Sequence, residues 1–174
     1  MNLERLFAAI RDVADFPQPG ITFKDITPLL IAPDTLRPAV EMMGAPYQGG
    51  GITHVVAIES RGFLLGTPIA LALGAGLIPI RKPGKLPHHR DRVEYALEYG
   101  TDALEMHRDA LGSGHRVLVV DDVLATGGTA AAAGKLVRGQ GATLAGYSFL
   151  IELGSLGGRQ RLAGERVEAL LYYA

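Results

Sequence analysis

Two adjacent carboxylates, Asp121 and Asp122, are followed by Val123-Leu124 and then by the turn Ala125-Thr126-Gly127-Gly128-Thr129. Gly127 and Gly128 can take positive φ and turn backbone N–H groups toward a ligand. Thr126 and Thr129 add hydroxyls, and a helix starting there adds unsatisfied N–H groups with a partial positive charge. Such a set of donors fits a phosphate. The aspartates one step earlier repel phosphate; they fit sugar hydroxyls, or a Mg²⁺ that bridges hydroxyls and phosphate. Together the two groups ask for a ribose phosphate. A plain βα-turn with a capping Thr and two solvated aspartates is the alternative, and a lone Gly-Gly turn would favour it. The acidic pair with two threonines turns the balance toward a site. No Gly-Lys-Ser/Thr follows at the required spacing, so a P-loop is excluded.

Three further groups are candidates for the same chemistry. Glu59-Ser60-Arg61-Gly62 follows the apolar run His54 to Ile58. If both runs are parallel strands, Arg61 faces the same crevice as Asp121 and Asp122; an Arg paired to a carboxylate at a buried edge explains it equally well. The run Arg81-Lys82-Pro83-Gly84-Lys85 continues with His88, His89, Arg90 and Arg92 against a single Asp91. Such a run is either a solvated basic loop or a trap for a polyanion, and its place after a strand favours the trap. Glu98 lies on the polar side of an alternation formed by Val93, Tyr95, Leu97 and Tyr99. It is an acid/base candidate or a solvated strand glutamate.

These groups need a scaffold. Val117 to Val120 reads as a strand buried on both faces, and Ala130 to Val137 as the helix that follows it. Leu77 to Ile80, Ala142 to Leu153 and Glu165 to Tyr173 read as further strands. Pro79 favours a peripheral place or a bulge for the first of these. The period-2 run ending at Tyr99 and the return Leu104 to His107 form a hairpin able to close over a site. Near the start, Leu3, Leu6, Phe7, Ile10 and Val13 predict one face of a helix with Asn2 as its cap. Ile21 to Leu30 predicts a short half-exposed strand, and Asp34 to Met43 a second helix. Strands alternating with helices give one α/β domain over residues 1–174 with a mainly parallel central sheet flanked by helices.

Composition excludes several classes. Seventeen Lys and Arg against eighteen Asp and Glu leave a net charge of -1, which gives nucleic acid no bulk attraction. Cys is absent, so disulfides, thiol nucleophiles and Cys metal sites are excluded. No basic segment followed by an apolar core opens the chain, so no secretory signal is read and a cytoplasmic place is expected. The uncharged stretch Phe63 to Ile80 reaches membrane-spanning length. Gly66, Pro68, Gly74, Gly76 and Pro79 break it, and helix, glycine turn and strand account for it without a membrane.

The run Val117 to Thr129 resembles the phosphoribosyl pyrophosphate loop of type I phosphoribosyltransferases. Phe16 to Leu30, Glu59-Ser60-Arg61-Gly62-Phe63, Arg81 to Pro87 and Tyr95 to Gly100 resemble the corresponding blocks of adenine phosphoribosyltransferases, in the same order. Lys24 stands where many members carry Arg, and His88-His89-Arg90-Asp91-Arg92 is an unusual version of the family's mobile loop. The resemblance implies a type I phosphoribosyltransferase fold, a small N-terminal hood over about residues 1–32 and a flexible hairpin loop over about residues 82–107. It implies conversion of adenine and 5-phosphoribosyl 1-pyrophosphate to AMP and pyrophosphate with Mg²⁺, held mainly through substrate near Asp121 and Asp122. It further implies that Arg61, Lys82, Lys85, Asp121, Asp122, Ala125, Thr126, Gly127, Gly128 and Thr129 bind phosphoribosyl pyrophosphate. Glu98 would be the catalytic acid/base, Thr22, Phe23 and Lys24 would hold adenine, and the protein would be a homodimer. A transferase for a 6-oxopurine such as xanthine or hypoxanthine stays open beside this, as does a non-catalytic regulator that senses phosphoribosyl pyrophosphate.

Overall fold

Runs of period 2 and period 3.6 alternate along the chain, and most become the elements they specify. In the computed structural model, which describes residues 3–96 and 100–174, the chain order is α1 (Leu3–Ala8), β1 (Arg11–Ala14), β2 (Thr22–Asp25), α2 (Thr27–Ile31), α3 (Pro33–Gly44), β3 (His54–Ile58), α4 (Arg61–Leu73), β4 (Gly76–Ile80), β5 (Arg90–Ala96), β6 (Thr101–His107), β7 (Arg116–Leu124), α5 (Gly128–Gly139), β8 (Thr143–Leu153), α6 (Gly158–Arg161) and β9 (Val167–Tyr173). Five strands form a parallel sheet in the order β4-β3-β7-β8-β9. From β3 the chain first winds outward to β4, then returns to the other side of β3 as β7. The order therefore reverses between β3 and β7, and a crevice opens beyond their carboxyl ends.

Side chains alternate across this sheet as a period of two demands. Val117 and Val119 join Val56, Ile58, Tyr147 and Phe149 under α5, with Leu104 and Met106 of β6. Leu118 and Val120 join Val55, Leu150 and Leu171 under α3 and α4. Helix α4 lies directly on β3. A Cβ at Gly66 would stand 2.6 Å from that of Ala57, so only glycine lets the two elements approach this closely. The approach sets Arg61, the first residue of α4, over the end of β3.

The strand β4 lies at the edge of the sheet, in keeping with Pro79. The Gly76 N–H donates to the Thr53 carbonyl at 2.9 Å and the Glu59 N–H to the Ile80 carbonyl at 3.0 Å. Even-numbered backbone groups of β4 therefore face β3, and Pro79 faces outward where no ladder bond is required. Among the described residues no helix is long and apolar enough to cross a membrane.

Two expectations near the start are corrected. The helix predicted from Leu3 to Val13 stops at Ala8, and Val13 belongs to β1, which pairs antiparallel with β2. The ion pairs Arg11–Asp25 and Lys24–Asp12 tie the two strands together, a tertiary pairing that outweighs local periodicity. The single strand predicted from Ile21 to Leu30 splits into β2 and α2. An Asp25 carboxylate oxygen accepts the Thr27 N–H at 2.9 Å and Pro28 occupies the first turn, so the chain is capped into a helix. Boundaries elsewhere move by a few residues. The hairpin starts at Arg90 instead of Val93, and its second strand is part of the core: Ala103, Leu104, Glu105 and Met106 are all buried. Whatever moves within residues 82–107, β6 is packed against the sheet.

Candidate active site

The carboxyl ends of β3 and β7 open into a cleft of about 750 Å³ that Arg61, Lys82, Asp121, Asp122, Ala125 and Thr129 line together with Thr22, Phe23 and Lys24. Its floor is the end of β7. Asp121 Oδ1 accepts the Asp122 N–H at 2.9 Å. Gly62 presses on the same oxygen, since a Cβ there would lie 2.8 Å from it. Loss of water around Asp121, with the Asp122 charge beside it, pushes its carboxyl well above the ordinary value, and Arg61 opposes the shift only in part. The Asp122 side chain is 7% exposed, and the Nε of Arg61 stands 2.6 Å from its Oδ2. The approach lacks the alignment of a hydrogen bond, so this buried oxygen has no donor among the described residues. The other face of the Arg61 guanidinium lies 4.8 Å from the Phe23 ring centre. Arg61 thus joins the acidic pair to the segment that covers it.

Beyond the acidic pair the chain closes around a small cavity of about 70 Å³ lined by Ala125, Thr126, Gly127, Gly128 and Thr129. Gly127 has φ +77°, and Gly128 is already the first residue of α5. Only the first of the two glycines needs the left-handed region. The second lets α5 begin with its N–H groups turned to the cavity.

The cationic side is organised by carboxylates. Glu59 accepts Arg81 Nε at 3.1 Å and the Lys82 N–H at 2.9 Å. Burial pushes the Glu59 carboxyl up, but these two donors and the nearby Lys85 charge outweigh it and hold it below its ordinary value. The peptide that joins Glu59 to Ser60 is cis. Lys82 Nζ is bound by Asp102 and by the Tyr95 hydroxyl, the latter at 3.1 Å. Partial burial alone would lower the Lys82 ammonium; its contacts with Asp102 and Tyr95 raise it overall. Lys85 is exposed and does not line the cleft. Lys24 also has partners, with Nζ 2.7 Å from Asp12 Oδ1 and 4.2 Å from the Tyr173 ring centre. Glu98 lies outside the described residues. The structure therefore gathers Arg61, Lys82, both aspartates, the Thr-Gly turn and Thr22 to Lys24, and leaves Lys85 at the rim.

Comparison with known proteins follows the same outline. The model of the phosphoribosyl transferase domain matches residues 41–161. An adenine phosphoribosyltransferase of Anaeromyxobacter sp. (strain Fw109-5) is 60% identical over 171 residues, 98% of this chain and 97% of that protein. One from Myxococcus xanthus is 56% identical over 168 residues, 97% of this chain and 91% of that protein. This chain belongs to the adenine phosphoribosyltransferase family. Solved members of the family superpose on it closely. The Rhodothermus marinus enzyme does so with a TM-score of 0.95 at 54% identity over 98% of both chains. The Saccharomyces cerevisiae enzyme, crystallised with adenine and an imino-altritol bisphosphate, does so with 0.92 at 39% identity over 97% of this chain and 98% of that one. The sheet and its helices are the type I phosphoribosyltransferase fold.

Residues to which the sequence assigned no part in the site also shape it. Asp102 and Tyr95 hold Lys82, Glu105 receives Arg90 and the Gly84 N–H, and Gly158 backs the Ala125–Gly127 turn. Each acts across a long separation in the chain, so no local spacing marks it.

Proposed function

We propose that this chain transfers the 5-phosphoribosyl group from 5-phosphoribosyl 1-pyrophosphate to adenine, releasing pyrophosphate and forming AMP in purine salvage. The observation that carries this is the cleft in which an acidic pair, Arg61 and Thr22 to Lys24 meet, beside the smaller cavity of the Ala125–Thr129 turn, which we read as a phosphate cradle. Backbone N–H groups of Ala125 to Thr129 and the start of α5 bind the 5′-phosphate, and that remote binding energy positions the anomeric carbon. Asp121 and Asp122 accept the ribose hydroxyls and lie beside the positive charge that grows on the ring as the C–O bond breaks. Arg61, Lys82 and Lys85 stabilise the negative charge of the departing diphosphate. Phe23 and the backbone around it cover the base, and Glu98 takes the proton that leaves the purine nitrogen as the new C–N bond forms.

Magnesium fits this donor set. The undonated Asp122 Oδ2 offers a hard anionic oxygen, and a cation there would favour ionisation of the neighbouring Asp121. Among the described residues no three His, Cys, Asp or Glu side chains converge, so substrate oxygens and water would complete its shell. When bound, the ion neutralises diphosphate charge.

Pyrophosphate release measured side by side with adenine, hypoxanthine, guanine and xanthine tests the assignment. Adenine alone is expected to support turnover; a faster 6-oxopurine would overturn it. We place the protein in the cytoplasm as a homodimer. Support for the dimer comes from the exposed apolar residues Ile31 of α2 and Leu64 and Leu71 of α4, and from a groove between α3 and α4 lined by Leu36, Val40 and Pro68. Light scattering that reports only monomer across the micromolar range would refute it.

A further inference from the structure

Behind the phosphate cradle lies an ion pair that no step of the transfer uses. Glu152 stands one residue from the end of β8, and in the parallel register it is opposite Leu124, the last residue of β7. Glu152 therefore leaves the sheet beside the chain that becomes the cradle. Its side chain is 6% exposed, and a carboxylate so buried needs full compensation. Arg159 provides it as a fork, with Nε 2.9 Å and 3.2 Å from the two Glu152 oxygens and Nη2 2.5 Å from Oε2. The remaining arm, Nη1, donates to the Val167 carbonyl at 2.8 Å. One guanidinium thus fastens α6 to both β8 and β9.

What α6 carries is the cradle's support. A Cβ on Gly158 would stand 2.2 Å from the Ala125 carbonyl oxygen and 3.0 Å from the Gly127 nitrogen. In return, a Cβ on Gly127 would stand 2.6 Å from the Gly158 carbonyl oxygen. The two backbones touch with no side chain between them, so a displacement of α6 is passed directly to Ala125 and Gly127. Arg159 itself faces a separate recess with Gly154, Gln160, Ala169 and Tyr172, away from the cleft.

We infer that Glu152 and Arg159 are positioning residues for the 5′-phosphate, acting through Gly158 on the Ala125–Gly127 turn. The inference rests on the assignment of that turn to the 5′-phosphate. A buried ion pair is weak evidence of a stabilising role, because replacing it with apolar groups is often neutral. Its effect should instead be read in where the cradle N–H groups point.

The test is titration of the full-length protein with AMP, with ribose 5-phosphate and with magnesium pyrophosphate, together with steady-state kinetics. Variants are Arg159→Lys, which keeps the charge and loses the fork, and Glu152→Gln, which keeps the shape and loses the charge. Each is expected to weaken AMP and ribose 5-phosphate about tenfold or more, raise the KM for phosphoribosyl pyrophosphate, and leave pyrophosphate affinity within about twofold. A lower melting temperature with unchanged AMP affinity would reduce the pair to a structural brace and overturn the inference. So would equal weakening of AMP and pyrophosphate, the sign of general loosening. Unchanged pyrophosphate affinity also reports that a variant is folded; if one variant is not, the other decides. Thr129→Asp, which puts a carboxylate against the turn and repels a phosphate bound by its N–H groups, separates the two levels. If it leaves AMP affinity intact, the cradle is misassigned; if it weakens AMP while Arg159→Lys and Glu152→Gln do not, only the inference fails.

Discussion

The acidic pair and the Ala125–Thr129 turn extend from β7, a strand paired on both edges and apolar on both faces, whereas Lys82 across the cleft belongs to the run Arg81 to Arg92, whose cations are held by ion pairs. On the first side, burial holds the groups in place with or without a ligand. The donors there are mostly backbone N–H groups, which can be buried at modest cost because each carries only a partial charge. On the second side the charges are full, and three of the cations rest against carboxylates. Arg81 rests on Glu59, Lys82 on Asp102 and Arg90 on Glu105. The first side is held by hydrophobic packing; the second is provisional, since under the proposed function a diphosphate would compete with these carboxylates for its cations.

That contrast can be broken or sharpened by experiment. The largest loss is expected on the packed wall. Replacing Asp121 and Asp122 together with Asn should lower turnover about a thousandfold or more while circular dichroism reports an intact fold. A near-normal rate would show them to be merely solvated. On the provisional side, Glu98→Gln should lower the single-turnover rate about a hundredfold with little change in phosphoribosyl pyrophosphate affinity; an unchanged rate would make it an ordinary strand residue. Lys85→Ala should weaken pyrophosphate roughly tenfold with AMP affinity nearly unchanged. Equal weakening of both ligands would move the cationic run away from the leaving group.

A smaller effect should run the other way. Asp102→Asn removes the counter-charge of Lys82 and should tighten pyrophosphate binding by about two- to fivefold, the modest scale of partly exposed ion pairs. Weaker binding would mean that Asp102 orients Lys82 and does not compete for it. The smallest effect belongs to the opposite end of the same two strands, where the His54 and His115 rings lie 4.4 Å apart. Burial, and then the His115 charge, lowers the His54 imidazole below its ordinary value of 6.5. The unfolded chain then binds protons that the native state refuses, so this contribution is present above about pH 6.5 and is lost as the pH falls. His54→Gln should flatten the loss of melting temperature between about pH 7 and pH 5 without altering ligand affinity. An unchanged slope would show that the ring contact carries no such cost.

The packed wall was largely legible in the sequence, because strand, carboxylates, turn and helix are contiguous from Val117 to Val137. The sheet was legible for the same reason: each strand is a local apolar run with its own stop signal. The provisional wall was not. Its cations were visible as a basic run, but Glu59, Asp102 and Glu105 hold them from about fifteen to twenty residues away. Glu105 also hid the burial of β6. A charged residue in a period-2 pattern reads as solvent-facing, and the Arg90 pairing together with the Gly84 N–H lets it sit inside. At the start of the chain, Arg11 and Asp12 looked like the polar face of a helix until Asp25 and Lys24 came opposite them.

The outward position of Pro79 has a consequence for how the protein tolerates crowding by its own kind. An open sheet edge is a template on which another chain can add a strand, provided successive outward N–H and C=O groups are free. Along β4 those groups are the odd-numbered ones. Pro79 has no N–H to offer, and both backbone groups of Arg81 are already engaged by Glu105 at 3.0 Å and 2.8 Å. The template is interrupted at two successive outward positions, so this edge resists strand-by-strand aggregation without a charged side chain being needed to block it.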